Sequence, residues 1–415
     1  MQLSNVSKRI GSAVACCLVA SIVVLGVTGP ATAATPAEIE QAIVDGLDYL
    51  DSQQNTINGS WENSVGVTGL AVLKFEHRAY ELGFTDPTDP GYQYHQQVID
   101  GLAYIVGQSH DVDISSEPAA DGDGDNIGTY FGYGGVYDAG IAMMALATSQ
   151  NPGYTNLLQD AVDWMSFAQN NSTCGVHRGG WGYSANDCWS SDNSNGGYAT
   201  LGLGFAAASG GPYIFGLTIP AFVRSELSMW VNALQDPQGP PGDPNDGGSH
   251  YDPGGGWVNI LKTGNLLYEM HLAGDTVTAQ RVQDAIDYIE RHWGAPGGGD
   301  IGWVNHCQAM FTMMKGFEAF NIDLIDADGG GVPNDDWFDE VSTHLVNTQN
   351  TMTGAWPNDP WGGPVLSTAW ALLTLEKSVP SGAIPTVTEW GLVVMTLMLL
   401  VGAKVYFSRR RAMQA

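Results

Sequence analysis

Apolar residues recur along the chain at the i, i+3, i+4, i+7 spacing of a helix with one buried face, as in Ile43, Leu47 and Leu50, or Val282, Ile286 and Ile289. Each such segment is followed by a Gly-rich loop carrying Trp or Tyr, and then by a second segment rich in Ala, Leu and Met with no strong polar face. The pattern repeats six times. Ala42 to Gln53 and Gln54 lead through Gly59-Ser60-Trp61 to Val67–Phe75, and Gln97 to Gln108 lead through a long acidic loop and Tyr130–Tyr137 to Ala139–Ala147. Leu157 to Gln169 precede Gly180-Trp181 and Tyr198–Ala208, and Phe222–Leu234 precede Trp257 and Ile260–Leu272. Val282–Trp293 precede Gly302-Trp303 and Ala309–Phe320, and Trp337–Gln349 precede Gly354-Ala355-Trp356 and Leu366–Leu375. Six pairs of a half-exposed and a wholly apolar helix predict an all-α (α/α)6 toroid over residues 34–380. A linear solenoid would need polar terminal units to cap the stack, whereas the sixth unit here matches the first.

Both ends depart from this pattern. Lys8 and Arg9, the apolar run Ala13–Val27 and the small residues Ala31-Thr32-Ala33 form a secretory signal over 1–33, with cleavage expected after Ala33. Cys16 and Cys17 lie inside the apolar run and leave with it. At the other end, the apolar run 390–407 is long enough to cross the roughly 30 Å hydrocarbon layer as a helix. Lys404 sits near its inner end, and Arg409, Arg410 and Arg411 after it hold that side in the cytoplasm, so the body is expected outside.

Ile384-Pro385-Thr386-Val387-Thr388-Glu389-Trp390-Gly391 leads into this helix. The segment 381–415 resembles the IPTL-type C-terminal sorting domain of bacterial envelope proteins, with Val387 and Thr388 in place of the usual Leu and Ser. The resemblance implies an exosortase-like membrane protease as partner, residence in the cell envelope, and nothing about activity. A second resemblance lies in the loops: Gly46, Tyr49, Leu50, Gln53, Gly59 and Trp61, with Gln349, Gly354 and Trp356, look like the Q-W repeat of the squalene cyclase and protein prenyltransferase superfamily. There the glutamine and tryptophan tie helix ends together. The full motif is found in the first and sixth units. No D-x-D-D acid of a cyclase is present, and His306 and Cys307, adjacent on a helix, do not form the Asp, Cys and His zinc site of a prenyltransferase. Neither zinc nor a nucleotide cofactor is expected.

The chain has 15 basic and 44 acidic residues. The end segments hold six of the basic ones and only Glu389 of the acidic ones, leaving nine basic against 43 acidic in the body. Such a surface repels nucleic acid and suits an extracellular domain that binds cations. Two acidic loops have oxygen ligands spaced as in calcium loops: Asp121, Asp123 and Asp125 in one, and Asp326, Asp328 and Asp335 in the other. Of the body cysteines, Cys174 and Cys188 flank a short loop and either close a disulfide in an oxidising compartment or stay as thiols; Cys307 is left over.

Aromatic residues gather in the loops before the second helices. Trp61, Tyr137, Trp181, Trp257, Trp303 and Trp356 are the candidate ligand-binding rings, suited to a sugar or an apolar ligand, with plugging of the ring as the plainer role. Asp138, Asp252 and Asp300 are candidate catalytic carboxylates for a polysaccharide hydrolase. The sequence favours a displayed toroid that binds a glycan or protein partner without catalysis. The alternative is an extracellular hydrolase or lyase of polysaccharide, with an isoprenoid cyclase less favoured because its substrates are made inside the cell.

Overall fold

The computed structural model describes residues 33–133, 135–209, 214–237, 239, 243–297 and 301–376. The signal segment, the sorting signature Ile384, Pro385, Thr386, Glu389, Trp390 and Gly391, the predicted spanning run and Asp300 lie outside the described residues. Among the described residues no helix is long and apolar enough to cross a membrane.

The outer helices are α1 (Pro36–Gln53), α3 (His95–Gly107), α5 (Thr155–Ala168), α7 (Ala221–Leu234), α9 (Gln280–Arg291) and α11 (Trp337–Thr348). Each buries one face; in α9 that face is Val282, Ala285, Tyr288 and Ile289. The inner helices are α2 (Val65–Glu81), α4 (Val136–Thr148), α6 (Asn193–Ala207), α8 (Ile260–Ala273), α10 (Cys307–Ala319) and α12 (Pro364–Leu375). These are buried almost all round, as their composition predicts: every residue of α8 from Ile260 to Leu272 is buried. Starts are set locally. Thr35 caps α1 in a capping box with Glu38, and Pro36 takes the first turn, where its missing N–H costs nothing.

Each inner helix packs on its two neighbours, and α12 packs back on α2 as well as on α10. The ring is therefore closed, and the solenoid alternative is excluded. Lys74 of α2 donates to the Leu372 carbonyl of α12 at 3.2 Å and pairs with Glu376, both ends of the pair being buried. Inner helices approach closely where side chains are small: a Cβ on Gly264 would meet the Met313 backbone nitrogen at 2.5 Å.

Four corners of the ring share one latch. The glutamine ending an outer helix donates from its amide to a glycine carbonyl in its own loop and to a carbonyl at the start of the next outer helix. Gln54 bridges Gly59 and Gln97, Gln169 bridges Gly179 and Val223, and Gln235 bridges Gly247 and Arg281. Gln349 bridges Gly354 and Ala42, joining the last outer helix to the first. Gly354 must be glycine, with φ +77° and a would-be Cβ 2.0 Å from the Asp45 carbonyl oxygen. Two expectations change here: the latch of the first unit is Gln54, whereas Gln53 reaches only Ser52, and the third and fourth units carry it too.

Two short hairpins decorate the ring. β1 (Ser109–Asp113) pairs antiparallel with β2 (Ile127–Phe131), Ser109 opposite Phe131, and frames the first acidic loop. β3 (Leu324–Ile325) pairs with β4 (Asp335–Asp336) around the second. Cys174 and Cys188 form a disulfide, and Cys307 is a buried free thiol.

Candidate functional site

A cavity of about 540 Å³ opens where the inner helices begin. Tyr137 and Asp138 reach it from the first turn of α4, Ser194 from α6, Leu261 and Lys262 from α8, Gln308 from α10, and Leu366 and Trp370 from α12. Tyr183, Tyr251, Trp257 and Trp361 close it from the loops. Five inner helices thus begin around one space, with Asp192 capping α6, Asn259 capping α8 and Asp359 accepting from the Gln308 N–H of α10.

The rings form a continuous wall. Tyr183 stacks on Tyr137 with centroids 6.4 Å apart, and Tyr137 leans on Tyr198 at 4.7 Å. Trp370 donates its indole N–H to the Tyr198 hydroxyl at 3.0 Å. Tyr251 meets Trp257, and Trp257 meets Trp361, each at 5.8 Å. A 2.9 Å hydroxyl contact joins Tyr183 to Tyr251. Trp257 and Trp361 remain about half exposed, so their faces are open to a ligand. Sugar rings, whose C–H faces are apolar and whose rims are polar, fit such a surface.

Asp138 supplies the carboxylate. Its Oδ1 accepts from the Gly66 N–H at 2.9 Å, which fixes its orientation across the α2–α4 contact. Burial raises its pKa, and the Gly66 hydrogen bond offsets this only partly. Lys262 is the cation. It is buried, its Nζ has no hydrogen-bond partner among the described residues, and it stands 3.7 Å over the Trp257 ring. Burial alone lowers its pKa to about 7.

Of the candidate rings, Tyr137 and Trp257 line the cavity. Trp61, Trp181 and Trp356 do not: they are fully buried, and their indole N–H groups donate to the carbonyls of Leu50, Met165 and Leu345 at 2.7 to 2.9 Å. Each pins a loop to the outer helix before it, so no ligand reaches its face. Trp303 is also buried, against Trp293 and His344. Asp252 lies in the loop after Tyr251, where its Oδ1 accepts from Gly254 N–H, and it does not line the cavity. Tyr183, Lys262, Trp361 and Trp370 join the site without having been among the chosen candidates. Lys262 had one visible signal, a lone lysine in the first turn of an apolar inner helix.

The acidic loops behave differently from each other. Asp121 and Asp123 come together with Asp163 of α5, and Asp123 and Asp125 with Asp160 of the same helix. Burial first, and the neighbouring aspartates after it, raise Asp160 to about 7; burial likewise raises Asp163 to about 6, against the lowering hydrogen bonds from Gly122 and Gln159. Asp160 also has a buried oxygen without a partner. In the second loop Asp326, Asp328 and Asp335 form no such cluster among the described residues; one oxygen of each accepts from Gly331, from Gly330, and from Ala327 and Asp328 of the loop itself, while Asp326 Oδ1 is buried without a partner among the described residues. A third set, Asp236, Asp243 and Asp246, converges beside His250.

No family model and no curated protein sequence matches the chain. Solved structures do match its shape. The GH76A alpha-1,6-mannanase from Salegentibacter sp. HEL1_6 superposes with a TM-score of 0.51 at 13% identity, over 82% of this chain and 98% of that one. An inactive variant of the same enzyme, with two adjacent aspartates changed to alanine and alpha-1,6-mannotetrose bound, gives 0.54 at 11% identity over the same shares. A third, with both changed to asparagine and alpha-1,6-mannotriose bound, gives 0.51 at 12%. The likeness establishes the (α/α)6 toroid as the class of fold.

Proposed function

We propose that the body is a glycan-cleaving toroid, a hydrolase that takes a polysaccharide chain into the cavity at the mouth of the inner helices. The observation that carries this is the open aromatic wall of Tyr183, Tyr137, Tyr251, Trp257 and Trp361 with a half-buried carboxylate, Asp138, set into it. The structural neighbours, alpha-1,6-mannanases with mannotriose and mannotetrose bound, support the same class of ligand.

Glycoside hydrolysis needs one carboxylic acid to protonate the leaving oxygen and a second carboxylate to activate water or attack. Asp138, whose pKa is raised by burial, is suited to hold the proton. The second role falls to Asp252 or Asp300; Asp252 stands on the loop that delivers Tyr251, outside the cavity lining. The adjacent aspartates of the neighbour have no counterpart on this wall. Asp335 and Asp336 are adjacent in this chain, but Asp336 caps α11 and Asp335 braces its own loop. That difference favours a second reading, a toroid that binds glycan without cutting it.

The disulfide fits an oxidising compartment and so supports export through the signal segment and display by the sorting tail. Calcium at the Asp121–Asp125 loop belongs to the proposal as well, held by Asp121, Asp123 and Asp125 with Asp160 and Asp163. Hard oxygen donors with one unpartnered buried oxygen suit that ion.

The test is release of reducing ends by the full chain in mild detergent from a panel of mannans, glucans and acidic polysaccharides, with Asp138→Asn as control. Cleavage lost in the variant supports the hydrolase. Retention of glycan without cleavage establishes the binding reading, and neither retention nor cleavage removes both.

A further inference from the structure

The cavity carries one feature that a site for neutral sugar does not require. Lys262 is 1% exposed, yet its ammonium position has no hydrogen-bond acceptor among the described residues. A buried donor left without a partner is costly, and natural interiors seldom keep one without a use. Its Nζ stands 3.7 Å over the Trp257 ring, itself a wall of the cavity. Lys315 differs in having a partner: it donates to Asn265 Oδ1 at 3.1 Å, while burial lowers its pKa to about 7 against the raising charge of Glu269.

The second observation is independent of Lys262. The first turns of α4, α6, α8, α10 and α12 line the same space; the ends of α6 and α10 are taken by Asp192 and Asp359, which leaves α8, capped by the neutral Asn259, and α12, with no side-chain cap, to present positive dipole ends there. Such a field disfavours a cation in the cavity and favours an anion. Among the described residues that line the cavity the one carboxylate is Asp138, whose pKa burial raises.

We propose that the cavity selects a sugar bearing an acid group, a uronate, and that Lys262 is the residue that receives its carboxylate between Trp257 and the N-termini of the inner helices. This rests on the reading of the cavity as a glycan site and names the class of sugar. The carboxylate supplies the acceptor that Lys262 lacks among the described residues, as a charge-assisted hydrogen bond at a buried donor. The excess of acid on the body argues against a long polyanion lying across the surface. At physiological salt that repulsion fades beyond roughly 8 Å, so a single acid group seated in the cavity feels Lys262 and the helix ends more than the surface.

Proton linkage follows. Asp138 and Tyr137 on α4 and Tyr183 and Tyr251 on the loops face the cavity with Lys262. Around α8, Glu269 of that helix is coupled to Lys315 of α10, and Asp192 before α6 is engaged in capping its own helix. Burial alone holds free Lys262 near 7, and a bound carboxylate raises it. Binding of the acid sugar therefore takes up a proton above about pH 7, and affinity falls by about tenfold per pH unit from there until the pKa of the complex is reached.

Titration calorimetry of the full chain in mild detergent tests this with matched pairs of short oligosaccharides that differ only at C6: glucuronate against glucose, galacturonate against galactose, mannuronate against mannose. The acid member of at least one pair is expected to bind about tenfold or more tightly at about pH 6, with the ratio shrinking towards one by about pH 8.5. Lys262→Met is expected to collapse the ratio at both values. Lys262→Arg keeps a charge that does not titrate in this range, and is expected to keep a preference independent of pH. Equal affinities within every pair, or an acid preference untouched by Lys262→Met, overturn the inference and leave the glycan site standing. Binding of no sugar in either form overturns both.

Discussion

Trp356 and Trp361 share one loop, and both precede the same inner helix, yet they do opposite things. Trp356 is 1% exposed and gives its indole N–H to the Leu345 carbonyl of the preceding outer helix. Trp361 is 55% exposed and stands against Trp257 at the rim of the cavity. The same division runs round the ring: Trp61 and Trp181 are bolts like Trp356, while Trp257 faces the ligand space. An indole close behind a Gly turn can reach back to a carbonyl of the outer helix and close the corner. An indole further along the loop, as at Trp361, stands at the mouth instead. Corner and mouth therefore divide stability from recognition between residues of one type.

That division can be broken by experiment. Asp138→Asn should lower glycan hydrolysis by about 100- to 10,000-fold, the range of a lost general acid or base, without lowering the melting temperature, because the amide still accepts from Gly66 and need not be ionised in a buried place. Trp356→Ala should cost about 3 to 5 kcal/mol in denaturant unfolding, through the cavity it leaves and the lost indole hydrogen bond to the Leu345 carbonyl. Trp361→Ala should do the reverse, weakening oligosaccharide binding by about tenfold while changing stability by no more than about 0.5 kcal/mol. If Trp361→Ala unfolds the ring, or Trp356→Ala leaves it intact, the division into bolt and binding face is wrong.

The smallest effect concerns pH and the first acidic loop. Asp160 and Asp163 are raised above their unfolded values, to about 7 and about 6. Between about pH 4 and these values the folded chain holds more protons than the unfolded one. Their contribution to stability is therefore present at about pH 4 and is lost as pH rises through 6 to 7. Melting curves in chelator should show that decline, and millimolar calcium should remove it by replacing the protons. A decline that calcium leaves unchanged would separate the cluster from any metal role.

Much of the fold is legible in the sequence because helical periodicity is local: Ile43, Leu47 and Leu50 declare their face without reference to any distant residue. Ring closure is legible through the likeness of the first and sixth units, and Gln349 reaching Ala42 is its physical form. The site is less legible. Gln53 and Gln54 cannot be told apart by spacing, since one turn of φ and ψ at the helix end decides which amide faces the next corner. Asp160 and Asp163 look like solvent residues of α5 until a loop some forty residues earlier folds over them. The role proposed for Lys262 depends on its Nζ having no acceptor among the described residues, and that leaves no mark in a sequence.

The most direct test of the account is a structure of the full chain with an oligosaccharide diffused in. The account predicts sugar rings lying on Trp257 and Trp361, with a glycosidic oxygen about 2.6 to 3.2 Å from the Asp138 carboxyl, the reach of a proton donor. Sugar bound elsewhere on the ring, with this cavity empty beside it, would contradict it.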